Sequence, residues 1–375
     1  MNHPAYPAAR KAAARVYPHF ARYDQASTAP HPVLPEPGII EAMIDVAFWA
    51  SLRREELYTP RISLAFIARE HLDQAFIFQR PVPLAPQPLT RLGPAVERPG
   101  IHLAVWPDAD TLHVWGATRT LPAGCFVLQV LAPGLLVIKQ SRTDETGKFV
   151  NLAVLQGEEI KIVNHHATGK PDCPELITTL LGLESHFTSS GPTNVLIQLA
   201  ISMRAHGRGG ALLVVPSTGP HTWHESMLQP ITYAVDPAFS VLADFIGTDR
   251  TSRPALAREQ LHRLIEGVAG LTAVDGATII NDRYEVFAFG AKIIRRPGYA
   301  QVNHVRVTEP TEGFIPLNAD PSQLGGTRHL SAAQFAHDQR DAIALVASQD
   351  GRFTVFAWSD YEQMVHAHRI ETLLL

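Results

Sequence analysis

The sequence predicts an α/β protein built as a smaller, mostly β N-terminal α+β domain followed by a mixed β-sheet covered by helices. Three observations carry that prediction. The chain has 375 residues, more than the roughly 250 to 300 at which a single hydrophobic core stops growing. Residues 60–165 read as short alternating or β-branched runs separated by prolines and turn groups, the texture of antiparallel strands. Residues 191–375 alternate helical and strand-like patterns, which a sheet covered by helices explains. The predicted organisation is an arm over 1–37, a domain over 38–165, a junction over 166–190 and a second domain over 191–375.

Composition narrows the functional classes. Apolar residues make up 46 % and charged ones 18 %, which fits sizeable cores and argues against general disorder. A formal net charge of −4 gives no long-range attraction for nucleic acid or anionic lipid, so neither is expected as a partner and any phosphate recognition has to be local. Cys125 and Cys173 are the two cysteines, without the spacing of a disulfide scaffold. No uninterrupted apolar run is long enough to cross a bilayer, and the start lacks a signal-peptide apolar segment. A cytoplasmic protein is expected.

Along the chain, residues 1–37 hold seven prolines and predict an arm or loop with a short helix over 8–16. Ile40, Met43, Ile44, Ala47 and Phe48 share one helical face, with Glu41 and Asp45 on another. Strands follow at 61–67, 75–78, 102–106, 111–116, 126–131 and 135–138, the last two joined through Ala132-Pro133-Gly134 as a hairpin. The junction holds one helix over 174–183. Thr193 can cap a helix over 194–206 that Gly207 ends. A buried strand over 211–215 precedes helices near 227–233, 237–246 and 253–269, then strands over 272–280, 284–289, 342–347 and 352–357.

Chemistry concentrates in Gly325-Gly326-Thr327-Arg328-His329-Leu330-Ser331-Ala332. Two glycines remove side-chain bulk before a helix start, where open N–H groups attract an anion and Arg328 adds a fork matched to phosphate oxygens. Fifty residues upstream, Asp275-Gly276-Ala277 places a carboxylate and a missing side chain in a predicted strand, where glycine marks a close approach. Asp275 suits the metal ion that polyphosphate chemistry usually needs.

The order of motifs is more specific than either alone. Gly207-Arg208-Gly209-Gly210 precedes an apolar strand, then come Asp275-Gly276-Ala277, Gly326-Thr327-Arg328-His329, and Asp341-Ala342-Ile343-Ala344-Leu345-Val346 before Asp350-Gly351. This order resembles the diadenylate cyclase domain (the DisA_N-like DAC domain) over residues 190–360. The first half is similar to the sensor domain, labelled DACNV, that precedes such cyclases, through Ala47-Phe48-Trp49-Ala50-Ser51-Leu52, Arg54-Glu55-Glu56 and Val114-Trp115-Gly116. The resemblance implies a DAC-like sheet that condenses two ATP into cyclic di-AMP and two pyrophosphates with Mn²⁺ or Mg²⁺. Each 3′-hydroxyl attacks the other nucleotide's α-phosphate, so two domains have to meet face to face in a homo-oligomer. It also implies Asp275 and His329 as catalytic residues and Gly276, Ala277, Gly326, Thr327, Arg328 and Ser331 as nucleotide-binding ones. Metal contacts fall to Asp275 and Asp350.

The chain departs from the family pattern in three places. Leu330 stands where a further arginine is usual, Ser348-Gln349-Asp350 where paired glutamates are expected, and the segment over 291–325 is longer. A DAC fold that binds ATP or a cyclic dinucleotide as a sensor without turnover stays open, as does a non-enzymatic partner-binding protein.

Other motifs fall short. His165-His166 and His221-Thr222-Trp223-His224-Glu225 complete no metal-ligand pattern. Thr168-Gly169-Lys170-Pro171 lacks the rest of a P-loop, and Ser189-Ser190 lacks a nucleophile elbow. Arg295-Arg296 reads as a solvated basic pair. Trp106 and Trp115 on neighbouring strands read as core or as an aromatic ligand pair.

Overall fold

Two sheet-based units make up the chain, residues 1–163 and 164–375. The structure is a computed structural model that describes residues 4–26, 33–54, 59–72, 74–98, 100–109, 111–141, 149–164, 173–174, 192–220, 222–247 and 254–375. The helix expected over 174–183 beyond its first residue, the pairs Glu55-Glu56, His165-His166 and Ser189-Ser190, the stretch Thr168-Gly169-Lys170-Pro171, and His221 lie outside the described residues.

In the first unit, eight strands run in the order β2-β4-β3-β1-β5-β6-β7-β8. They are β1 (Ile62–Phe66), β2 (Ala75–Pro83), β3 (His102–Asp108), β4 (Thr111–Thr118), β5 (Phe126–Ala132), β6 (Leu135–Ser141), β7 (Phe149–Gln156) and β8 (Glu159–Ile162). Only the β1–β3 pair is parallel. Helices α1 (Pro7–Ala26), α2 (Pro37–Ser51) and α3 (Pro86–Leu92) complete it. Ile40, Met43, Ile44 and Ala47 of α2 are fully buried, as their helical spacing predicts.

The expected arm over 1–37 is instead largely α1. Ala8, Ala9, Ala12, Ala13, Val16 and Phe20 are buried in the same core as α2, because small alanines let helices approach closely. Tyr6 fixes its start: the ring stacks on Phe48 at 3.7 Å, the amide donates to Asp45 at 2.6 Å, and the hydroxyl donates to the Gly157 carbonyl. Trp115 is buried and donates to the Ile67 carbonyl at 2.9 Å, while Trp106 lies 4.7 Å from Phe66. Both tryptophans are core groups.

The second unit holds α4 (Pro192–Ala205), β9 (Gly210–Val215), β10 (Tyr233–Phe239), α5 (Val241–Gly247), α6 (Pro254–Leu271), β11 (Ala277–Asn281), β12 (Val286–Ala291), β13 (Val305–Thr308), β14 (Leu317–Ala319), α7 (Thr327–Asp338), β15 (Ile343–Ala347), β16 (Phe353–Ser359) and β17 (Met364–Arg369). Nine strands are ordered β10-β12-β11-β9-β15-β16-β17-β13-β14. β9 is parallel to β11 and β17 to β13, whereas the remaining pairs are antiparallel. Ala211, Leu213, Ala344 and Val346 form one core with Ala332, Ala333, Phe335 and Ala336 of α7. Leu212, Ile280 and Leu345 point to the opposite face and are equally buried, so both faces are covered.

The helices expected near 227–233 and 237–246 give way to β10 and the short α5. Pro230 and Pro237 remove helix donors, and an edge strand tolerates proline where a helix interior does not. The strand expected over 272–280 starts only at Ala277, which leaves Asp275 and Gly276 in the turn before it.

Candidate functional site

Sheet register brings distant segments to one end of the second unit. Ala277 at the start of β11 pairs with Ala211 of parallel β9, while Ala347 at the end of antiparallel β15 pairs with Gly210. The turns before β9, before β11 and after β15 therefore share one sheet end. There α7 begins, and a side chain at Gly209 would start 3.3 Å from the Arg328 Nη1.

Gly276 is required where it stands. Its φ of +119° is disfavoured for other residues, and a Cβ would lie 2.4 Å from the Gly290 carbonyl carbon, because β12 crosses the turn there. The side chain of Ala277 is buried in the core, so this residue contributes backbone and packing at the site.

Helix α7 follows Gly326 without a side-chain cap among the described residues; the His329 amide donates to the Gly326 carbonyl at 3.0 Å, which leaves the Thr327 and Arg328 amides available to an anion. Ser331 donates its hydroxyl to the Thr327 carbonyl at 2.9 Å. A pocket of about 350 Å³ borders this start, with Gly326, Thr327, Arg328, His329, Ser348 and Asp350 on its walls. Across the first turn a second pocket of about 380 Å³ is lined by Ile293, Ile294, Arg295, Leu330, Ser331 and Gln334.

His329 lies beneath the loop. It is 2 % exposed, and a side chain at Gly325 would run into its ring at 2.3 Å. Burial, with lesser help from Arg352 and Arg328 and against the Asp350 charge, pushes its pKa below the ordinary value, which keeps the ring neutral near pH 7. Its Nε2 and the Nε of Arg328 are buried and have no hydrogen-bond partner among the described residues. Buried polar atoms are nearly always paired, and these two belong to consecutive residues that both line the pocket.

The carboxylates are already matched. Asp275 receives Lys292 Nζ at 2.6 Å on Oδ2; that hydrogen bond first, and then the ammonium charge, hold its pKa below the usual carboxylate range, with smaller help from Arg328 and the Gly276 amide. Asp350 pairs with Arg352 at 3.3 Å. The turn after β15 is tied from behind by Arg204, which donates to the Gly351 carbonyl at 2.9 Å, and by Gln349, which donates to the Arg208 carbonyl at 3.3 Å.

The structure thus gathers Gly326, Thr327, Arg328, His329 and Asp350 around one pocket and sets Ser331 on the other; Asp275 and Gly276 line neither, though Asp275 feels the Arg328 charge. Lys292, Arg352 and Arg204 carry no local motif. Lys292 comes to Asp275 only because Ala291 pairs with Ala277. Among the described residues no three His, Cys, Asp or Glu side chains gather as metal ligands. One exposed carboxylate does fit an ion carried by a polyphosphate, since Mg²⁺ is often held by one or two carboxylates plus substrate oxygens.

Residues 29–119 match the family model of the probable sensor domain DACNV. This stretch holds α2, β1, β2, α3, β3 and β4 and ends within the first unit. No curated protein matches the chain. No helix among the described residues is long and apolar enough to cross a membrane.

Proposed function

We propose that the chain is a diadenylate cyclase-type nucleotidyltransferase, with the second unit joining two ATP into cyclic di-AMP and the first unit regulating it as a sensor. The DACNV match supports an association with diadenylate cyclase-type signalling. The observation that carries the catalytic half is the pair of buried, unpartnered nitrogens of Arg328 and His329 at an uncapped helix start beside a pocket.

In this reading the open amides of α7 and the Arg328 guanidinium hold the phosphates, and the second pocket takes the nucleoside against Ile293, Leu330 and Ser331. The 3′-oxygen of one ATP attacks the α-phosphorus of the other. A P–O bond forms as the bond to pyrophosphate breaks, and the hydroxyl proton leaves toward Asp275. Repetition in the reverse sense closes the ring and releases the second pyrophosphate. Catalysis is then mainly positioning and charge stabilisation. Mg²⁺ or Mn²⁺ enters as part of the substrate, with Asp275 as its protein contact, and supplies charge neutralisation on the phosphates. One nucleotide per unit requires two copies of the chain to meet.

The test is incubation of the full chain with ATP and Mn²⁺ or Mg²⁺. Cyclic di-AMP forms, and Asp275→Asn lowers the rate by about a hundredfold or more. A second reading, nucleotide binding without turnover, is favoured by the internal pairing of both Asp275 and Asp350; ATP binding with no product at any metal or protein concentration selects it.

A further inference from the structure

The pocket at the start of α7 carries more positive charge than the reading above uses. Its walls hold two guanidiniums, Arg328 and Arg352, against one carboxylate, Asp350. His329 on the same wall is held neutral by burial first, and it feels the charges of Asp350, Arg352 and Arg328, so all three act within one neighbourhood. The second pocket, given above to the nucleoside, is lined by neither Arg328 nor Arg352. Both cations therefore lie across the first helical turn from it.

The backbone sets Arg352 in place. The turn after β15 closes through the Ser348 amide, which donates to the Arg352 carbonyl at 2.9 Å, and through the Gly351 amide, which donates to the Ser348 carbonyl at 3.2 Å. Its guanidinium is paired more loosely. The Arg352 Nε lies 3.3 Å from Asp350 Oδ2, and the two side chains are 56 % and 58 % exposed. An exposed pair of this kind adds little to stability and is given up readily. A phosphate offers the guanidinium fork two oxygens at once and more charge than a carboxylate.

We propose that Arg352 binds the terminal phosphates of the nucleotide's polyphosphate chain, with Asp350 occupying its guanidinium in their absence. The inference deepens the nucleotidyltransferase reading and rests on it for the nucleoside alone; the chemical class it commits to is a di- or triphosphate group. Arg328 and the first amides of α7 then hold the phosphate nearer the nucleoside, and Arg352 holds the group that leaves as pyrophosphate.

Calorimetric titration of inorganic pyrophosphate into the nucleotide-free full chain tests this without any turnover. Arg352→Gln weakens pyrophosphate binding about tenfold, the lower end for a charged hydrogen bond because the group is half exposed. Arg352→Lys, which keeps the charge and loses the fork, recovers part of that loss. Asp350→Asn tightens pyrophosphate about fivefold, the factor that an adjacent like charge costs in water, and serves as the readout if Arg352→Gln does not fold. AMP, which lacks the terminal phosphates, binds wild type and Arg352→Gln alike. Absence of pyrophosphate binding in wild type, equal affinity in wild type and Arg352→Gln, or an equal loss for AMP overturns the proposal. Pyrophosphate binding that depends on Arg352 without cyclic di-AMP from ATP removes the cyclase reading alone; cyclic di-AMP formation with equal pyrophosphate affinity removes the role of Arg352 alone.

Discussion

Two buried histidines, His102 of the first unit and His329 of the second, differ in how their ring nitrogens are satisfied. His102 on β3 is 1 % exposed and its Nδ1 lies 2.7 Å from the Ser63 hydroxyl, with Gln129 donating to that same hydroxyl at 3.3 Å. His329 on α7 is 2 % exposed, and its Nε2 has no partner among the described residues. Burial lowers both pKa values. What distinguishes them is satisfaction: the first belongs to a hydrogen-bonded network inside a sheet, the second lines a pocket with Nε2 unpaired among the described residues.

The largest test of that contrast is acid. His102 is pushed from 6.5 down to about 4, by burial first and then by the Lys139 charge. A histidine with a lowered folded pKa binds fewer protons in the folded state. Its stabilisation is fully present above pH 6.5 and is lost as pH falls toward 4, about 3 kcal/mol in all. Denaturation curves across that window should show the loss, and His102→Gln should flatten it; an unchanged slope would mean that His102 is not held neutral. His329 adds to the loss in the same direction.

A smaller effect compares the two sites by substitution. His102→Leu takes away the ring partner of the Ser63 hydroxyl, which keeps only the Gln129 contact, and costs about 1 to 3 kcal/mol. His329→Leu removes a nitrogen that nothing pairs and costs less than about 1 kcal/mol, while reducing the rise in Tm produced by ATP. Equal costs in urea denaturation would erase the distinction. On the ATP-induced shift the smallest effect belongs to Ser63→Ala, which costs about 1 kcal/mol of stability and leaves that shift unchanged.

Much of this was legible in residue order. Periodic apolar spacing marked α2, α4 and α6, and β-branched runs marked β1, β3 to β6, β9, β15 and β16. Alanine-rich α1 was obscured by prolines at its flanks and by Pro18 within it. The exposed edge strand β10 and the histidine-bearing β17 lack alternation strong enough to identify them. Gly326-Thr327-Arg328-His329 was readable as a glycine-led helix start because its signals are local. Lys292 was not, because its link to Asp275 exists only through the pairing of β11 with β12. The burial of His329 likewise depends on Gly325 and Phe356 closing over its ring, which no local pattern encodes.

The most direct measurement is calorimetric titration of ATP into the wild-type chain and into Arg328→Ala. Wild type should bind one ATP per chain, and the variant should bind about ten- to a hundredfold more weakly, as loss of a charged phosphate hydrogen bond implies, with Tm in the absence of ligand unchanged. Absence of ATP binding in the wild type, or equal affinity in the variant, would contradict a phosphate site at the start of α7.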